Sequence, residues 1–552
     1  NASQNVLSDD ELVKPPFAPI WFGTTPNYHA LPRHHYGPRP QVAGGRLTIL
    51  GVETLSGRCV YTGRELWVRE FPGIGHAFTS LELEAKWAAG ESVYMINEPG
   101  ATYIGSPFVT MPDSVYLRYR GEVYRLNPET GETLAKWKLQ AQKEYEENEE
   151  NPDWGHISVQ GSYLIVTTDP YVFLEGRLGK LANGWDGSAS RRLIVMDRYN
   201  GEVLWHRDAD IGFRHNAICS SEDRLFVNDM LSAGALDLAM RRGMPIKQRP
   251  QLYALRLDSG EQLWRKESEV FGTFLSYSRK YDILLEGGTR DGRRHLKDEP
   301  SDRLLARNAT SGEILWERKE SYSGPLIIHD DMVIAGRPGP ALCVTSGENK
   351  PRLHPLTDEE IAWRYWKSYG CGSSNASTHL LLFRSGAAGF ADLEHDGGTG
   401  NLGGFKSGCT ASMIAADGIL NAPDYTRTCT CSYQNQTSLG LVHRPEMELW
   451  TSNQPIQNYK GPLRRLGVNL GAPGDGAPTT AHCGCTAPAW HPRLKSICCS
   501  SAGRSRQAHA SSPHREEPHR EKPNTAWTPT WTAPGPSWTS AAAASLIMNH
   551  CL

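Results

Sequence analysis

The sequence of 552 residues lacks an uninterrupted apolar run of about 18 residues, so it predicts no membrane-spanning helix. It also lacks an excess of basic side chains, because 58 Lys and Arg stand against 61 Asp and Glu. Dedicated nucleic-acid binders usually carry a basic stripe, and the net charge of -3 argues against that class. The chain starts at Asn1 without a charged segment followed by an apolar one, and we interpret it as a fragment or as a form trimmed of a signal peptide.

The alternation of apolar residues stops at about Ala477, where Ala, Pro, Ser, Thr, His and Arg take over. A low-complexity, disordered tail over residues 477–552 is one interpretation. The other, which we favour, is a change of reading frame. When the codons for residues 477–485 are read two bases later, they permit Ala-Asp-Asp-Gly-Thr-Leu-Trp-Leu, a strand and turn that would continue the preceding chain. The tail would then be a frameshift product that was never selected to fold.

One short motif recurs before that point, with a glycine, a nearby acidic residue and then Leu-Trp. Complete copies lie at 62–67, 200–205, 259–264 and 311–316, and a copy at 130–134 has its tryptophan displaced to Trp137. The shared residues are Gly63, Trp67, Gly131, Gly201, Trp205, Gly260, Trp264, Gly312 and Trp316. Glycine can take the positive φ that a hairpin turn needs, and the tryptophan is large enough to wedge between neighbouring sheets. The motif therefore predicts a repeated β-hairpin.

A second hairpin precedes each copy, and it reads as an apolar pair, a turn and an alternating strand. Eight such hairpins lie at Pro40–Ile49, Pro107–Leu117, His156–Val166, Asn216–Val227, Leu275–Leu285, Pro325–Ile334, Ser374–Phe383 and Ser412–Leu420. Each would join its outer hairpin in a four-stranded sheet, and eight sheets arranged radially protect most strand edges. The sequence therefore predicts an all-β, eight-bladed β-propeller over residues 1–452. Residues 453–476 would be a linker, a ring-closing segment or the start of a further β element.

The Gly-x-x-x-Trp hairpin, preceded by Leu-Tyr-Ala-Leu at 252–255, resembles the repeat of the PQQ-like propellers. That family includes quinoprotein alcohol dehydrogenases and a bacterial outer-membrane assembly lipoprotein of the same fold. The resemblance covers about residues 15–452, and the stretches 31–45 and 420–431 are similar to a narrower group of bacterial PQQ-binding-like repeat proteins. WD40 propellers are the nearest alternative, but their Gly-His and Trp-Asp signatures are missing.

The resemblance implies two functions. Quinoprotein dehydrogenases hold PQQ and Ca²⁺ with a Glu, an Asn and an Asp, an adjacent pair of disulfide-bonded cysteines and a Trp. The only adjacent cysteines here are Cys498 and Cys499 in the tail, and no spacing singles out three ion ligands, so we assign no catalytic, cofactor or metal residue. We therefore expect the second function, a monomeric binding or scaffold module at the cell envelope whose ligand is a protein or a polysaccharide. A PQQ- and Ca-dependent dehydrogenase that oxidises alcohols or sugars is the alternative.

Polar residues at and near the starts of the inner strands are the best guess for a ligand site, because those starts line the mouth of a propeller's channel. The candidates are Arg33, His34, His35, His156, Arg214, His215, Asn216, Arg384, Asn401 and Lys406. They would present a ring of His, Arg and Lys to an anionic or carbohydrate ligand. For any single residue, the alternative is that its side chain satisfies a buried backbone group.

Four cysteines lie in an unusual glycine-rich stretch near the end of the propeller, namely Cys371, Cys409, Cys429 and Cys431. Their spacing fits no common structural zinc site, and we expect two disulfides instead. Cys429 and Cys431 would share a face of one strand, so each would pair with one of the other two. Disulfides need an oxidising compartment, which predicts a periplasmic or secreted protein. Ordinary buried thiols are expected at Cys59, Cys219 and Cys343.

Overall fold

The computed structural model describes residues 7–26, 29–32, 38–76, 106–141, 155–170, 189–231, 249–271, 274–287, 302–320, 326–335, 340–353, 359–365, 374–394, 398–402, 413–424 and 437–447, with short pieces between these ranges and up to residue 487. The described residues form strands and turns almost throughout, so the predicted all-β class is confirmed.

The strands of the first part of the chain are β1 (Phe17–Gly23), β2 (Leu31–Pro32), β3 (Gln41–Ala43), β4 (Arg46–Leu50), β5 (Thr54–Cys59), β6 (Glu65–Glu70), β7 (Phe108–Thr110), β8 (Val115–Tyr119), β9 (Glu122–Leu126), β10 (Thr133–Lys138), β11 (Ile157–Gln160), β12 (Tyr163–Pro170), β13 (Leu174–Glu175) and β14 (Lys180–Leu181). The middle part contains β15 (Ala189–Asp197), β16 (Val203–Ser220), β17 (Arg224–Asp229), β18 (Gln251–Arg256), β19 (Gln262–Lys266), β20 (Phe274–Ser278), β21 (Ile283–Gly287), β22 (Arg303–Asn308), β23 (Ile314–Lys319), β24 (Ile327–His329), β25 (Met332–Ile334), β26 (Ala341–Cys343), β27 (Pro351–Leu353) and β28 (Glu360–Ala362). The last part contains β29 (Asn375–Ala376), β30 (Leu380–Ser385), β31 (Ala387–Asp392), β32 (Thr399–Asn401), β33 (Phe405–Lys406), β34 (Ile414–Ala416), β35 (Ile419–Ala422), β36 (Thr426–Arg427), β37 (Asn435–Gln436), β38 (Ser438–His443), β39 (Trp450–Ser452), β40 (Gly467–Leu470), β41 (Asp475–Gly476) and β42 (Gly484–Ala487).

Neighbouring strands pair antiparallel into a series of sheets that follows the chain. Four-stranded sheets are formed by β3 to β6, by β7 to β10 and by β20 to β23. Strands β24 to β26 form a three-stranded sheet, and β29 to β32 form a sheet that β39 and β41 extend. The seven-stranded sheet β11-β12-β15-β16-β17-β18-β19 joins two such units through β16, and β1 joins the last sheet, β1-β38-β35-β34. A succession of antiparallel sheets of this kind is consistent with a β-propeller.

The hydrophobic core lies between successive sheets. Leu55 and Trp67 of the β3–β6 sheet belong to one buried cluster with Val115 and Leu126 of the β7–β10 sheet. Another cluster joins residues of β17 and β18 to residues of β20 and β21 in the next sheet. The last strand of a sheet is the exposed one, as the burial of β19 and β23 shows. Each sheet is therefore stabilised mainly by the sheets on either side of it.

Each motif tryptophan covers the turn glycine of the next repeat along the chain. Gly260 has a φ of 72°, and a Cβ at this position would lie 2.7 Å from the Trp205 ring. The Trp205 Nε1–H also donates to the Leu257 carbonyl of the same turn at 2.9 Å. Both the positive φ and the covering ring require glycine. The same contact pairs Trp67 with Gly131, Trp137 with Gly201, Trp205 with Gly260, Trp264 with Gly312 and Trp316 with Gly347.

The last sheet is built from both ends of the propeller. Strand β1 pairs with β38, so that Phe17 lies opposite His443. Trp21 on β1 covers Gly63 in the first sheet, and its Nε1–H donates to the Val60 carbonyl at 2.6 Å. This tryptophan, which carries no recognisable copy of the motif, therefore joins the last sheet to the first.

An N-terminal strap, residues 7–16, crosses the last two sheets before β1 begins. The Ser8 N–H donates to the Ala376 carbonyl at 2.9 Å, and Asp10 accepts a hydrogen bond from the Gly418 N–H at 2.7 Å. Val13 is fully buried in the core cluster of the last two sheets. The strap thus binds two sheets that have no motif tryptophan between them among the described contacts.

The predictions for the end of the chain fall mostly outside the described residues. Of residues 453–476, only β40 and β41 are described, and β41 pairs with β39 at the edge of the β29–β32 sheet. Of residues 477–552, only the backbone of β42 is described. The disulfide candidates Cys371, Cys409, Cys429 and Cys431 lie outside the described residues.

Strand β16 is long enough to serve two sheets, since its first residues pair with β15 and its last with β17. Where it crosses, the Asp229 carboxylate accepts hydrogen bonds from the N–H groups of Asp210, Ile211 and Gly212 at 2.7, 2.8 and 2.7 Å. Burial raises the pKa of Asp229, although these three hydrogen bonds oppose the shift. The carboxylate therefore holds the strand at the point where it passes from one sheet to the next.

The described cysteines differ in exposure. Cys219 is buried, as predicted, and burial raises the pKa of its thiol. Cys59 and Cys343 are half-exposed in two of the motif turns, so the prediction of buried thiols is wrong for them. The Thr345 hydroxyl, 3.2 Å from the Cys343 sulfur, and backbone N–H groups of the turn lower the pKa of the Cys343 thiol.

A thiol reagent should distinguish these cysteines. In the native protein at neutral pH, iodoacetamide is expected to alkylate Cys343 roughly tenfold faster than Cys219, or more, because the thiolate reacts and Cys219 is shielded. Mass mapping of the peptides gives both rates. After unfolding in guanidinium, which serves as the control, the two rates should converge. Equal rates in the native protein would contradict the prediction.

Candidate functional site

The first strands of successive sheets face one another. Strand β3 contacts both β34 and β7, β7 contacts β11, and β16, β20, β24 and β29 are in contact in that order. Side-chain amides bridge neighbouring first strands. The Gln41 Nε2–H donates to the Phe108 carbonyl at 2.9 Å, and the Asn375 Nδ2–H donates to the Met413 carbonyl at 2.8 Å. The starts of the sheets therefore share one wall, on which several predicted site residues lie.

His156 makes the equivalent bridge between β11 and β16. Its Nδ1 lies 3.2 Å from the carbonyl oxygen of His215, and its Nε2 lies 2.7 Å from the Ser158 hydroxyl. Its backbone N–H donates to the Thr167 hydroxyl at 3.0 Å. Since side chains alternate along a strand, His156 and Ser158 share one face of β11. His156 therefore does what the alternative interpretation predicted, because it satisfies a backbone group, and it also holds a serine.

Two further predicted residues lie beside this bridge on β16. The His215 Nε2 lies 2.7 Å from the Ser190 hydroxyl on β15. The Arg214 side chain has no exposed surface, and Asn216 is half-buried. The structure therefore brings the predicted residues of two neighbouring units into one neighbourhood, which we name the His156 centre. Its residues are Arg118, His156, Ser158, Asp169, Ser190, Arg214, His215 and Asn216.

Two charged residues of the centre were missed by the sequence analysis. Arg118 on β8 is 4% exposed, and a Cβ on Gly155 would lie 1.8 Å from its Nη1, so the guanidinium packs against the backbone just before His156. Asp169 is buried in β12 with a φ of 54°, a conformation that residues other than glycine rarely adopt. It precedes Pro170, which pairs with Ser190. Strained backbone of this kind clusters at functional sites, and here it lies next to the residue that pairs with Ser190.

The electrostatics of the centre keep its bridging histidine neutral. Burial, with a smaller contribution from the Arg118 cation, lowers the pKa of His156 to about 4, although the hydrogen bond with the His215 carbonyl opposes the shift. A carbonyl oxygen can only accept, so Nδ1 carries the proton and donates it. Nε2 is then left as an acceptor for the Ser158 hydroxyl.

This shifted pKa predicts a loss of stability in mild acid. Between the ordinary histidine pKa of 6.5 and the native value of about 4, the unfolded chain takes up a proton that the native protein does not. As the pH falls through this window, His156 therefore lowers the free energy of unfolding by roughly 2–3 kcal/mol. Urea unfolding at neutral pH and near pH 4.5 measures the difference.

The control for that prediction is His156→Asn, whose amide can donate to the His215 carbonyl as Asn375 does to Met413. It should lose roughly 2–3 kcal/mol less than the wild type between the two pH values, because asparagine does not titrate. An unchanged pH dependence in the variant would contradict the assignment.

The remaining predicted site residues lie elsewhere. Arg384 is buried on β30, and its Nε–H donates to the Gly386 carbonyl at 3.0 Å. Asn401 is exposed on β32, and its Nδ2–H donates to the Ser385 carbonyl at 3.0 Å. Both therefore hold the turn between β30 and β31. Only the backbone of Lys406 is described, as part of β33, and Arg33, His34 and His35 lie outside the described residues.

A Ca²⁺ site of the kind the family resemblance implies needs several converging oxygen ligands. Within the described ranges, no three His, Cys, Asp or Glu side chains converge as metal ligands. Asp169 carries the only carboxylate among the residues named for the His156 centre, whereas Ca²⁺ takes about 6–8 oxygen ligands. The centre is better suited to hydrogen-bonding a polar or anionic group.

Comparison with known families places one match on the middle of the chain. Residues 119–319 match the family described as outer membrane protein assembly factor BamB. The match runs from the end of β8 to the end of β23, and it includes most residues of the His156 centre. No curated protein matches the sequence. Among the described residues, no helix is long and apolar enough to cross a membrane.

Several solved structures are similar to this chain at low identity. BamB from Moraxella catarrhalis is 14% identical, with 65% of this chain and 83% of that chain covered and a TM-score of 0.34. The quinohemoprotein alcohol dehydrogenase ADHIIG from Pseudomonas putida HK5 is 10% identical, with 81% and 79% covered and a TM-score of 0.44. The computationally designed Ika8 protein is 12% identical, with 76% and 99% covered and a TM-score of 0.39.

Proposed function

We propose that this protein, which carries PQQ-like β-propeller repeats, is a binding or scaffold module of the cell envelope. The family match is the observation that supports the proposal, because its description names an assembly factor and not a reaction. The protein would act as a monomer in the periplasm or after secretion, and its partner would be an envelope protein or a polysaccharide. In that compartment, disulfides would form among Cys371, Cys409, Cys429 and Cys431.

We infer a closed ring of eight blades over residues 1–452. Contacts between first strands support it, since they run from β34 to β3, β7 and β11, and from β16 through β20 and β24 to β29. Hydrogen bonds support the two remaining junctions, from His156 to the His215 carbonyl and from Asn375 to the Met413 carbonyl. In this arrangement β1 closes the ring, residues 453–476 form a further β element or linker, and residues 477–552 lie outside the ring.

The ligand site of this ring would be the His156 centre. Its arginines, its histidines and its hydroxyls are suited to an anionic or carbohydrate group, which needs several hydrogen bonds from converging polar groups. Asn216 of this centre lies next to His215 on β16 and is half-buried. Its side-chain amide would contact a ligand at the channel mouth. Arg33, His34, His35, Arg384, Asn401 and Lys406 would complete the mouth around the other blades.

The partner can be sought with a matched pair of variants. The immobilised protein is exposed separately to envelope proteins and to envelope polysaccharide, and any bound partner is identified and titrated. Asn216→Asp, which adds a negative charge at the mouth, is expected to weaken binding by roughly tenfold or more. Gln262→Glu adds the same charge on the exposed strand β19 and should leave the affinity unchanged. A partner whose affinity responds equally to both variants would bind elsewhere.

A second experiment decides between a binding module and a dehydrogenase. The protein is titrated calorimetrically with PQQ and Ca²⁺, and a dye-linked assay follows the oxidation of alcohols and sugars. We expect neither stoichiometric binding nor turnover. Tight binding with turnover would overturn the proposed function and make the channel residues catalytic candidates.

A further inference from the structure

The His156 centre contains two hydrogen-bonded serine and histidine pairs that differ in exposure. Ser158 is partly exposed and lies 2.7 Å from the His156 Nε2. Ser190 has no exposed surface and lies 2.7 Å from the His215 Nε2. The first pair can meet a small molecule, whereas the second cannot without local opening of the sheet.

The orientation of the His156 ring is set by the backbone. Its Nδ1–H donates to the His215 carbonyl, 3.2 Å away, so the Nε2 lone pair is directed at Ser158. In serine hydrolases the nucleophile, the base and a group that orients the base stand in this relation, and here a carbonyl takes the place of the carboxylate. Burial keeps the imidazole neutral at neutral pH, so Nε2 carries no proton there, while the pKa of about 4 makes it a weaker base than an ordinary histidine.

The placement of Ser158 on β11 leaves it open on one side. Ile157 and Val159 point into the core cluster shared with β8 and β12, so the alternation of the strand turns Ser158 and Gln160 to the opposite face. The guanidinium of Arg118 lies near enough to His156 to act on its charge. The same cation opposes the positive charge that His156 gains when it accepts the serine proton.

We propose that Ser158 is a nucleophile activated by His156, and that it takes an acyl group from a small ester. The Ser158 oxygen forms a bond to the carbonyl carbon while its proton passes to Nε2. The bond to the alcohol oxygen then breaks, and the alcohol leaves with that proton. A water molecule then attacks the acyl-serine while its proton passes to Nε2. The bond between the acyl carbon and the Ser158 oxygen breaks, the serine takes back the proton, and the acid is released. This activity goes beyond the proposed binding role and does not depend on it.

The test uses the full chain and a biotinylated fluorophosphonate, which forms a bond from phosphorus to a serine oxygen and releases fluoride. Mass mapping of the modified wild-type protein is expected to find the label on Ser158 and not on Ser190. His156→Asn should lower the labelling rate by roughly 100-fold, the lower limit expected for loss of a positioned base. Ser311→Ala, which changes an exposed serine in a turn outside the His156 centre, should label at Ser158 as fast as the wild type.

A second readout is the acetylation of Ser158 by p-nitrophenyl acetate. We expect a burst of about one p-nitrophenolate per chain, which Ser158→Ala abolishes while its urea unfolding curve stays unchanged. The proposal is overturned if the wild-type label maps away from Ser158, or if folded His156→Asn labels at the wild-type rate. Because the mapping is done on the wild type, it does not depend on how any variant folds. It is also independent of whether an envelope partner is found.

Discussion

Glu286→Ala is expected to lower the free energy of unfolding by about 3–5 kcal/mol, because it leaves a buried guanidinium without its carboxylate. Glu286 on β21 is 0% exposed and Arg307 on β22 is 3% exposed, with 2.6 Å between the carboxylate oxygen and Nε. Burial raises the pKa of Glu286, and the charge of Arg307 opposes that shift. Urea unfolding followed by tryptophan fluorescence measures the loss.

A surface pair on the same sheet provides the control. Glu317 lies 2.7 Å from the Arg303 Nε and is 47% exposed. Glu317→Ala should therefore cost less than about 1 kcal/mol. Glu286→Gln keeps an oxygen near Arg307 and should fall between the two. If the buried and exposed alanine variants lost the same stability, the buried pair would not have the role assigned to it.

Trp21→Ala is expected to cost about 3 kcal/mol, near the lower end of the range for truncating a packed tryptophan, because the ring is half-buried. The ring covers Gly63 in the first sheet, and a Cβ on Gly440 would lie 2.2 Å from its Nε1. Its loss leaves the Val60 carbonyl without this donor and opens a cavity between the first and last sheets. In the Trp21→Ala variant, amide hydrogen exchange should become faster than in the wild type in β38, and should change less in β22.

The neighbouring residue is a matched control for this variant. Phe22 lies on the same strand and is 80% exposed. Phe22→Ala should therefore change the free energy of unfolding by no more than about 0.5 kcal/mol. Equal losses in the two variants would mean that the strand itself, and not the tryptophan, joins the first and last sheets.

The repeat could be predicted from the sequence because its requirements are local. A turn at positive φ beneath an indole ring requires glycine. The chain therefore has a glycine at each such turn, as Gly201 and Gly260 show. Trp137 stands two residues later in its copy of the motif than the other tryptophans do. Because side chains two residues apart lie on the same face of a strand, Trp137 still covers Gly201. Trp21 could not be predicted, because its strand finds its partners at the other end of the propeller.

The candidate site was predictable only in part. His156 directly precedes β11, and Arg214 and His215 lie where β16 passes from its pairing with β15 to its pairing with β17, beside the expected wall of a propeller. Arg118 belongs to a second strand, and its closeness to His156 depends on how two sheets stack, which no local pattern encodes. The positive φ of Asp169 depends on the register of β12 with β15. Ser158 could have been found, since it follows His156 at the strand period of two.

The pairing of β1 with β38 has a consequence for synthesis on the ribosome. The Thr437 hydroxyl donates to the Gly23 carbonyl across 414 residues of chain. At roughly 5–20 residues per second, translation needs on the order of 20–80 s to supply the partner strand after β1 has emerged. During that interval the nascent chain presents Trp21 and the edge of β1 without the last sheet. A holdase chaperone that covers this first strand should therefore raise the yield of folded protein more than one acting on later strands.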